Sequence, residues 1–268
     1  MADSPETPGA PAPPAPAAPP EAPGERPLTR EEHLALRRFF LGLREATPRA
    51  WVTPTLVGLC ALVYVAQLGL STLMAGDDPL VALGGNYGPL SLGSQPWRLL
   101  TSAFLHGGLI HIAFNMGALY QLGRLTERLY GNLPFLAIYL LCGLAGSLAS
   151  AAMPEARISV GASGAVFGVV GASLVGLRRG GLQTSIAAFA RSQRQLTSLV
   201  GINLVFGFVV PGIDNAAHLG GLAMGLLAGA AMSRRIPPPP GTAARQAGVA
   251  AALSVLLVGL YFMLGWRI

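Results

Sequence analysis

"SVGASGAVFG", residues 159–168, sets one hydroxyl, Ser163, among small and apolar residues. A Gly-x-Ser-Gly stretch suggests a serine hydrolase. In soluble hydrolases, however, the nucleophile sits on a strained turn between a strand and a helix, open to water. Nothing around Ser163 reads as that turn. Two readings stand: Ser163 is a nucleophile, or it is a small residue that lets two helices pack closely.

The rest of the chain sets the context. Its 268 residues are 52% hydrophobic and only 11% charged, against about 25% charged in a soluble domain. Such a chain cannot cover a water-facing surface, so it belongs in a bilayer. All 18 basic residues are Arg. They lie between long apolar runs and do not interleave with aromatics along one face, which excludes a nucleic-acid partner. Cys60 and Cys142 sit inside apolar runs with no metal-type spacing, and read as small hydrophobes.

Residues 1–27 are mostly Pro, Ala, Gly and Glu, a composition that cannot bury a core and predicts disorder. No secretory signal precedes them. Residues 28–49 form a short amphipathic helix, either on the membrane surface through Phe39 and Phe40 or as a cytosolic linker. Apolar runs of spanning length follow at 52–74, 108–123, 133–153, 158–177, 195–213, 215–233 and 246–266. A long, partly embedded first loop occupies 75–107. The expected organisation is a tail and amphipathic segment over 1–50, a six-helix core over 51–233, a Pro-rich linker over 234–245 and a seventh helix over 246–268. With the N-terminus inside, 15 of the 18 Arg fall on the inner side, leaving Arg98, Arg157 and Arg267 outside. The positive-inside rule then places the N-terminus in the cytoplasm and the C-terminus outside.

Polar residues within membrane helices are expensive, so each asks for a reason. The second, fourth and sixth helices all run inward. They carry His111 with Asn115, then Ser163, then His218, each a few residues past the outer start and about 5–12 Å deep. The spacing of His111 and Asn115 puts both on one helical face. A serine hydroxyl needs an adjacent base, and His218 is suited to take its proton and return it to a leaving amine. Asn115, His111 and the first backbone N–H groups of the fourth helix are candidate oxyanion donors. Asp214 reads as the N-cap of the sixth helix, not as a third catalytic member. The His residues lack a nearby Glu and the His-Glu-x-x-His pattern, so neither a metal nor another cofactor is expected. His33 reads as a surface residue. Glycines at 161, 164, 168 and 171, and at 221, 225 and 229, thin the fourth and sixth helices for close approach.

In combination these motifs resemble the rhomboid family of intramembrane serine proteases, over roughly residues 95–232. Trp97–Arg98 resembles the family's first-loop motif. "HGGLIHIAFN" (106–115) resembles its second-helix pattern, and Tyr139, Gly143, Gly146 and Ser147 its third-helix pattern. "GASG" (161–164) and "AHLGGLAMG" (217–225) resemble the nucleophile and histidine motifs. Phe167 stands where many members have Tyr; its ring can pack on His218 but carries no hydroxyl.

The resemblance implies an all-α polytopic membrane protein, a six-helix bundle plus a seventh C-terminal transmembrane helix. It implies cleavage of other proteins' transmembrane segments near the outer face, in a water-filled cavity that substrate enters past the fifth helix. The expected location is the plasma (cell inner) membrane. Two other classes stay open from the residues alone: a membrane protein that binds client helices without cutting, and a small transporter using the polar cluster.

Overall fold

The computed structural model describes residues 27–73, 78–154, 157–179, 187–210, 212–232 and 241–266. The tail over 1–26, Arg234, Arg235, Arg267 and the prolines at 237–240 lie outside the described residues.

The described residues are predominantly helical. α1 (Arg30–Ala46) opens on a capping box, in which Thr29 and Glu32 each bond the other's backbone N–H. α2 (Val52–Ser71) follows. The loop beyond it is built from α3 (Pro79–Ala82), β1 (Asn86–Tyr87), α4 (Gly88–Ser91) and α5 (Arg98–Thr101). The long helices α6 (Leu109–Tyr130) and α7 (Asn132–Ala151) come next, then β2 (Ile158–Ser159), α8 (Ser163–Arg179), α9 (Ala187–Val209), α10 (Asn215–Met232) and α11 (Ala243–Gly265).

α2, α7 and α11 are long and apolar enough to cross a membrane. Exposed Leu62, Val65, Val255 and Phe262 make the outer faces of α2 and α11 oily, as lipid contact requires and water would not tolerate. α6, α8 and α10 carry the polar residues and much of the glycine. α8 is the enclosed element, with α10, α7 and α6 packed around it, and Ala165, Val169, Val170 and Ala172 almost fully buried.

Four expectations are corrected. The second helix runs past 123 to Tyr130, because Glu127 is used within the fold: its carboxylate accepts from Val52 N–H (2.7 Å), Thr53 N–H (2.9 Å) and Thr53 Oγ1 (2.7 Å). Glu127 thus caps α2 from another helix, where Trp51, at the N-cap position, offers no side-chain bond. The fourth helix begins at Ser163 and not at 158. Residues 158–159 instead pair antiparallel with β1, Asn86 opposite Ser159 and Tyr87 opposite Ile158. The fifth helix starts at Ala187 and not at 195, and ends at Val209 and not at 213. The seventh starts at Ala243, inside the linker expected over 234–245. α11 is docked on the bundle through buried Leu253 and Leu257. Arg245 at its start donates to the Ala231 and Met232 carbonyls (2.8 and 3.3 Å), and Arg179 donates to Ala230. Two cations thereby cap the C-terminus of α10.

Candidate active site

Glycine makes the site possible. A Cβ at Gly221 or Gly225 would fall on the Gly164 or Gly168 backbone, and one at Gly146 would lie 2.7 Å from the Ala217 carbonyl oxygen. The axes of α7, α8 and α10 therefore approach until backbone meets backbone. At that separation Ser163 Oγ and His218 Nε2 are 3.0 Å apart. The His218 ring lies flat on Phe167, centroids 4.1 Å apart and planes within 9°. Stacking fixes the imidazole plane, which a lone hydrogen bond cannot do. His218 Nδ1 is buried without a hydrogen-bond partner. Asp214 does not supply one: its Oδ1 accepts the Ala217 N–H (2.9 Å), the capping role expected of it.

Ser163 is the first residue of α8 and not a few residues inside it. The cause is Gly161, at φ +122°, a backbone conformation that L side chains rarely adopt. The turn there ends the β2 segment and lets the helix begin at the serine. The first N–H groups of α8, beginning with that of the serine itself, then have no intrahelical acceptor. A serine at a turn between a short strand and a helix restores, inside a membrane-type bundle, the arrangement that "SVGASGAVFG" seemed to lack.

His111 and Asn115 come to the same place. A Cβ at Gly161 would meet His111 Nε2 at 2.8 Å and Asn115 Nδ2 at 3.9 Å. Both side chains thus close over the residue two before the serine. His111 Nδ1 accepts the Gly107 N–H at 3.3 Å. In the neutral ring this leaves the proton on Nε2, so that a donor faces the Gly161 turn. Asn115 Nδ2 also donates to the His111 carbonyl (2.9 Å), which holds the amide in place.

Trp97 and Arg98 do not join this group. Arg98 is buried in the loop, donating from Nη1 to the Val81 and Gly85 carbonyls (2.5 and 3.0 Å) and from Nε to Gln95 Oε1 (2.6 Å). Trp97 packs on Gly84, whose added Cβ would lie 2.5 Å from the indole. Their link to the site is indirect. Ser102, next after α5, accepts the Gly161 N–H at 2.9 Å through its carbonyl, and its hydroxyl lies 3.3 Å from that of Ser147.

Two residues were given no role of their own by the sequence reading. His106 is fully buried beside His111, ring centroids 5.3 Å apart, and its backbone exchanges two hydrogen bonds with the Gln67 amide (2.7 and 3.1 Å). Burial, and after it His111, push its imidazole down to about 4. It lies five residues before His111, in a loop, so helical periodicity could not pair them. Tyr130 is the other: its hydroxyl lies 2.9 Å from the Ala172 carbonyl and 3.2 Å from that of Gly229, tying α6 to α8 and α10.

The fold and site define a helical membrane protein with a serine–histidine pair where two of its helices meet. The Rhomboid domain family model matches residues 93–235, more than half of the chain. The chain is 37% identical over 214 residues to Rhomboid protease GluP of Bacillus subtilis (strain 168), covering 78% of this chain and 40% of that protein. It is 34% identical over 198 residues to Rhomboid protease AarA of Providencia stuartii, 66% of this chain and 70% of that protein. With RHOMBOID-like protein 4 of Arabidopsis thaliana it shares 41% over 137 residues, 51% of this chain and 34% of that protein. It thus spans well under half the length of two of these relatives. The chain belongs to the rhomboid family.

Proposed function

We propose that this chain is an intramembrane serine endopeptidase in which Ser163 is the nucleophile and His218 the general base. The observation that carries the reading is the 3.0 Å contact between Ser163 Oγ and His218 Nε2, with the imidazole held flat on Phe167. The names of GluP and AarA support the same activity.

In the proposed reaction Oγ attacks the scissile carbonyl while its proton passes to His218 Nε2. The oxyanion forms against His111 Nε2–H, the Asn115 amide and the free N–H groups of α8. Collapse breaks the C–N bond as His218 returns the proton to the leaving amine. Water then repeats the sequence on the acyl-enzyme, with His218 again as base. Gly161 and Gly164 make room for the acyl group; Trp97 and Arg98 hold the loop that positions Gly161.

Six core crossings by α2, α6, α7, α8, α9 and α10, with α11 as a seventh, fit the Arg distribution and place the tail in the cytoplasm. The core over 51–233 is then the catalytic unit, set in the plasma membrane. Substrates are transmembrane segments whose outer end is easily unwound, since a peptide bond inside a regular helix is sealed by its own hydrogen bonds.

The test is a fluorophosphonate probe on chain reconstituted in lipid. Labelling that disappears in Ser163→Ala, together with cleavage of model transmembrane substrates, supports the protease. Wild type that neither labels nor cleaves leaves a client-binding protein, and vesicle uptake surviving Ser163→Ala leaves a transporter.

A further inference from the structure

At the end of the bundle remote from Ser163, α1 lies across the last turns of α6. Leu43 is fully buried there, and Leu36 and Phe39 pack beside it on the cluster that holds Leu129 and Tyr130. On α1, Phe40 at the margin of that buried stripe and Leu41 on the far side are about half exposed, and Trp51 before α2 is equally open. Arg44 follows Phe40 by four residues and shares its face. Arg124 and Arg128, also four apart, share a face of α6.

Leu43 and Leu129 share one buried cluster where α1 meets α6, which brings their chain neighbours Arg44 and Arg128 to the same junction. The charges of Arg124 and Arg44 bear on Arg128, as does the opposite charge of Glu127. Glu127 is already committed: its oxygens take the Val52 and Thr53 donors. Arg124 Nη1 donates to Tyr120 Oη at 2.8 Å, its guanidinium 5.3 Å above that ring. Arg128 Nε is buried with no hydrogen-bond partner, and among the described residues Arg44 has none either. Three guanidinium groups beside one occupied carboxylate leave an excess of two positive charges. Their planar forks match the oxygens of a phosphate. Exposed Phe40, Leu41 and Trp51 are what a bilayer interface selects next to such a charge.

We propose that Arg44, Arg124 and Arg128 bind the phosphodiester of an anionic phospholipid, whose acyl chains lie against Phe40, Leu41 and Trp51. The site rests on the membrane placement of the bundle and not on the catalytic reading. Its occupant fastens α1 to α6 and so braces the helix that carries His111 and Asn115 at its other end.

The full-length chain is placed in nanodiscs of phosphatidylcholine with phosphatidylglycerol, and retained lipid is measured by native mass spectrometry and by spin-labelled lipid. Phosphatidylglycerol is expected to be preferred. Arg44→Gln with Arg128→Gln is expected to weaken it roughly 30-fold, at about 1 kcal/mol for each Arg near the surface. The pair Arg30→Gln with Arg38→Gln removes equal charge from α1 and is expected to change it little. Should the first pair fail to fold, Arg44→Gln alone, at an exposed residue, reads out about five-fold. Equal retention of both lipids, or an equal loss in the control pair, overturns the site. Displacement by excess inorganic phosphate also overturns it, since the ligand would then be a soluble anion.

Discussion

At the scale of single residues, Gly161 joins backbone conformation to catalysis. Its positive φ starts α8 at the serine, and its missing Cβ leaves room for His111. Gly161→Ala is expected to lower fluorophosphonate labelling at least ten-fold while thermal unfolding moves little, because the strain is local. Phe167 works through His218 alone: Phe167→Leu is expected to reduce turnover several-fold by freeing the imidazole plane, with probe labelling retained in part. His106 gives a pH dependence. Its imidazole is pushed down to about 4 from an ordinary value near 6.5, so acid favours the unfolded chain, which takes up the proton more readily. Stability from this group is complete above about pH 6.5 and falls as pH drops towards 4. Thermal unfolding followed over that range is expected to show the decline, and His106→Gln to flatten it.

At the scale of elements, the cap on α2 is supplied by α6. Glu127 satisfies two backbone donors and a hydroxyl that a helix start otherwise leaves open. Glu127→Ala leaves them buried and unpaired, at roughly 1–3 kcal/mol. The expected readout is a clear loss of thermal stability in detergent, together with faster proteolysis near residue 50. The α8–α10 contact has the opposite character, since apart from the Ser163–His218 hydrogen bond it rests on close backbone packing. A side chain at Gly221 must force the two helices apart at the level of Ser163 and His218. Gly221→Val is accordingly expected to abolish labelling.

At the scale of the whole molecule, the proposed seven crossings put the two ends of the chain on opposite sides of the membrane. Alkaline phosphatase fused after Ile268 is expected to be active in cells, and the same enzyme fused after Gly241 inactive. Activity at both points, or at neither, overturns the count. α11 also touches the loop that carries Trp97, through the Tyr261 hydroxyl on the Gly93 carbonyl at 3.3 Å, so the seventh helix belongs to the packed body.

The residues of the candidate site were legible one by one: Ser163, His218, His111 and Asn115 stood out because a polar side chain in an apolar run is costly and needs a reason. The glycine spacing on α8 and α10 announced close packing for a similar reason, since helical period is a local property. The helix starts at Ser163 and Ala187, the β1–β2 pair, the Glu127 cap and the burial of His106 were not legible. Three of these depend on a partner distant in sequence: Asn86 for Ser159, Val52 for Glu127, Gln67 for His106. By itself, then, the sequence determined that the chain enters a bilayer, which helices carry polar groups, and which faces are thin. Only the tertiary structure decided that Ser163 begins its helix and lies 3.0 Å from His218. Hydropathy and period are summed along the chain, whereas a reactive distance is set by where backbones from separate helices come to rest.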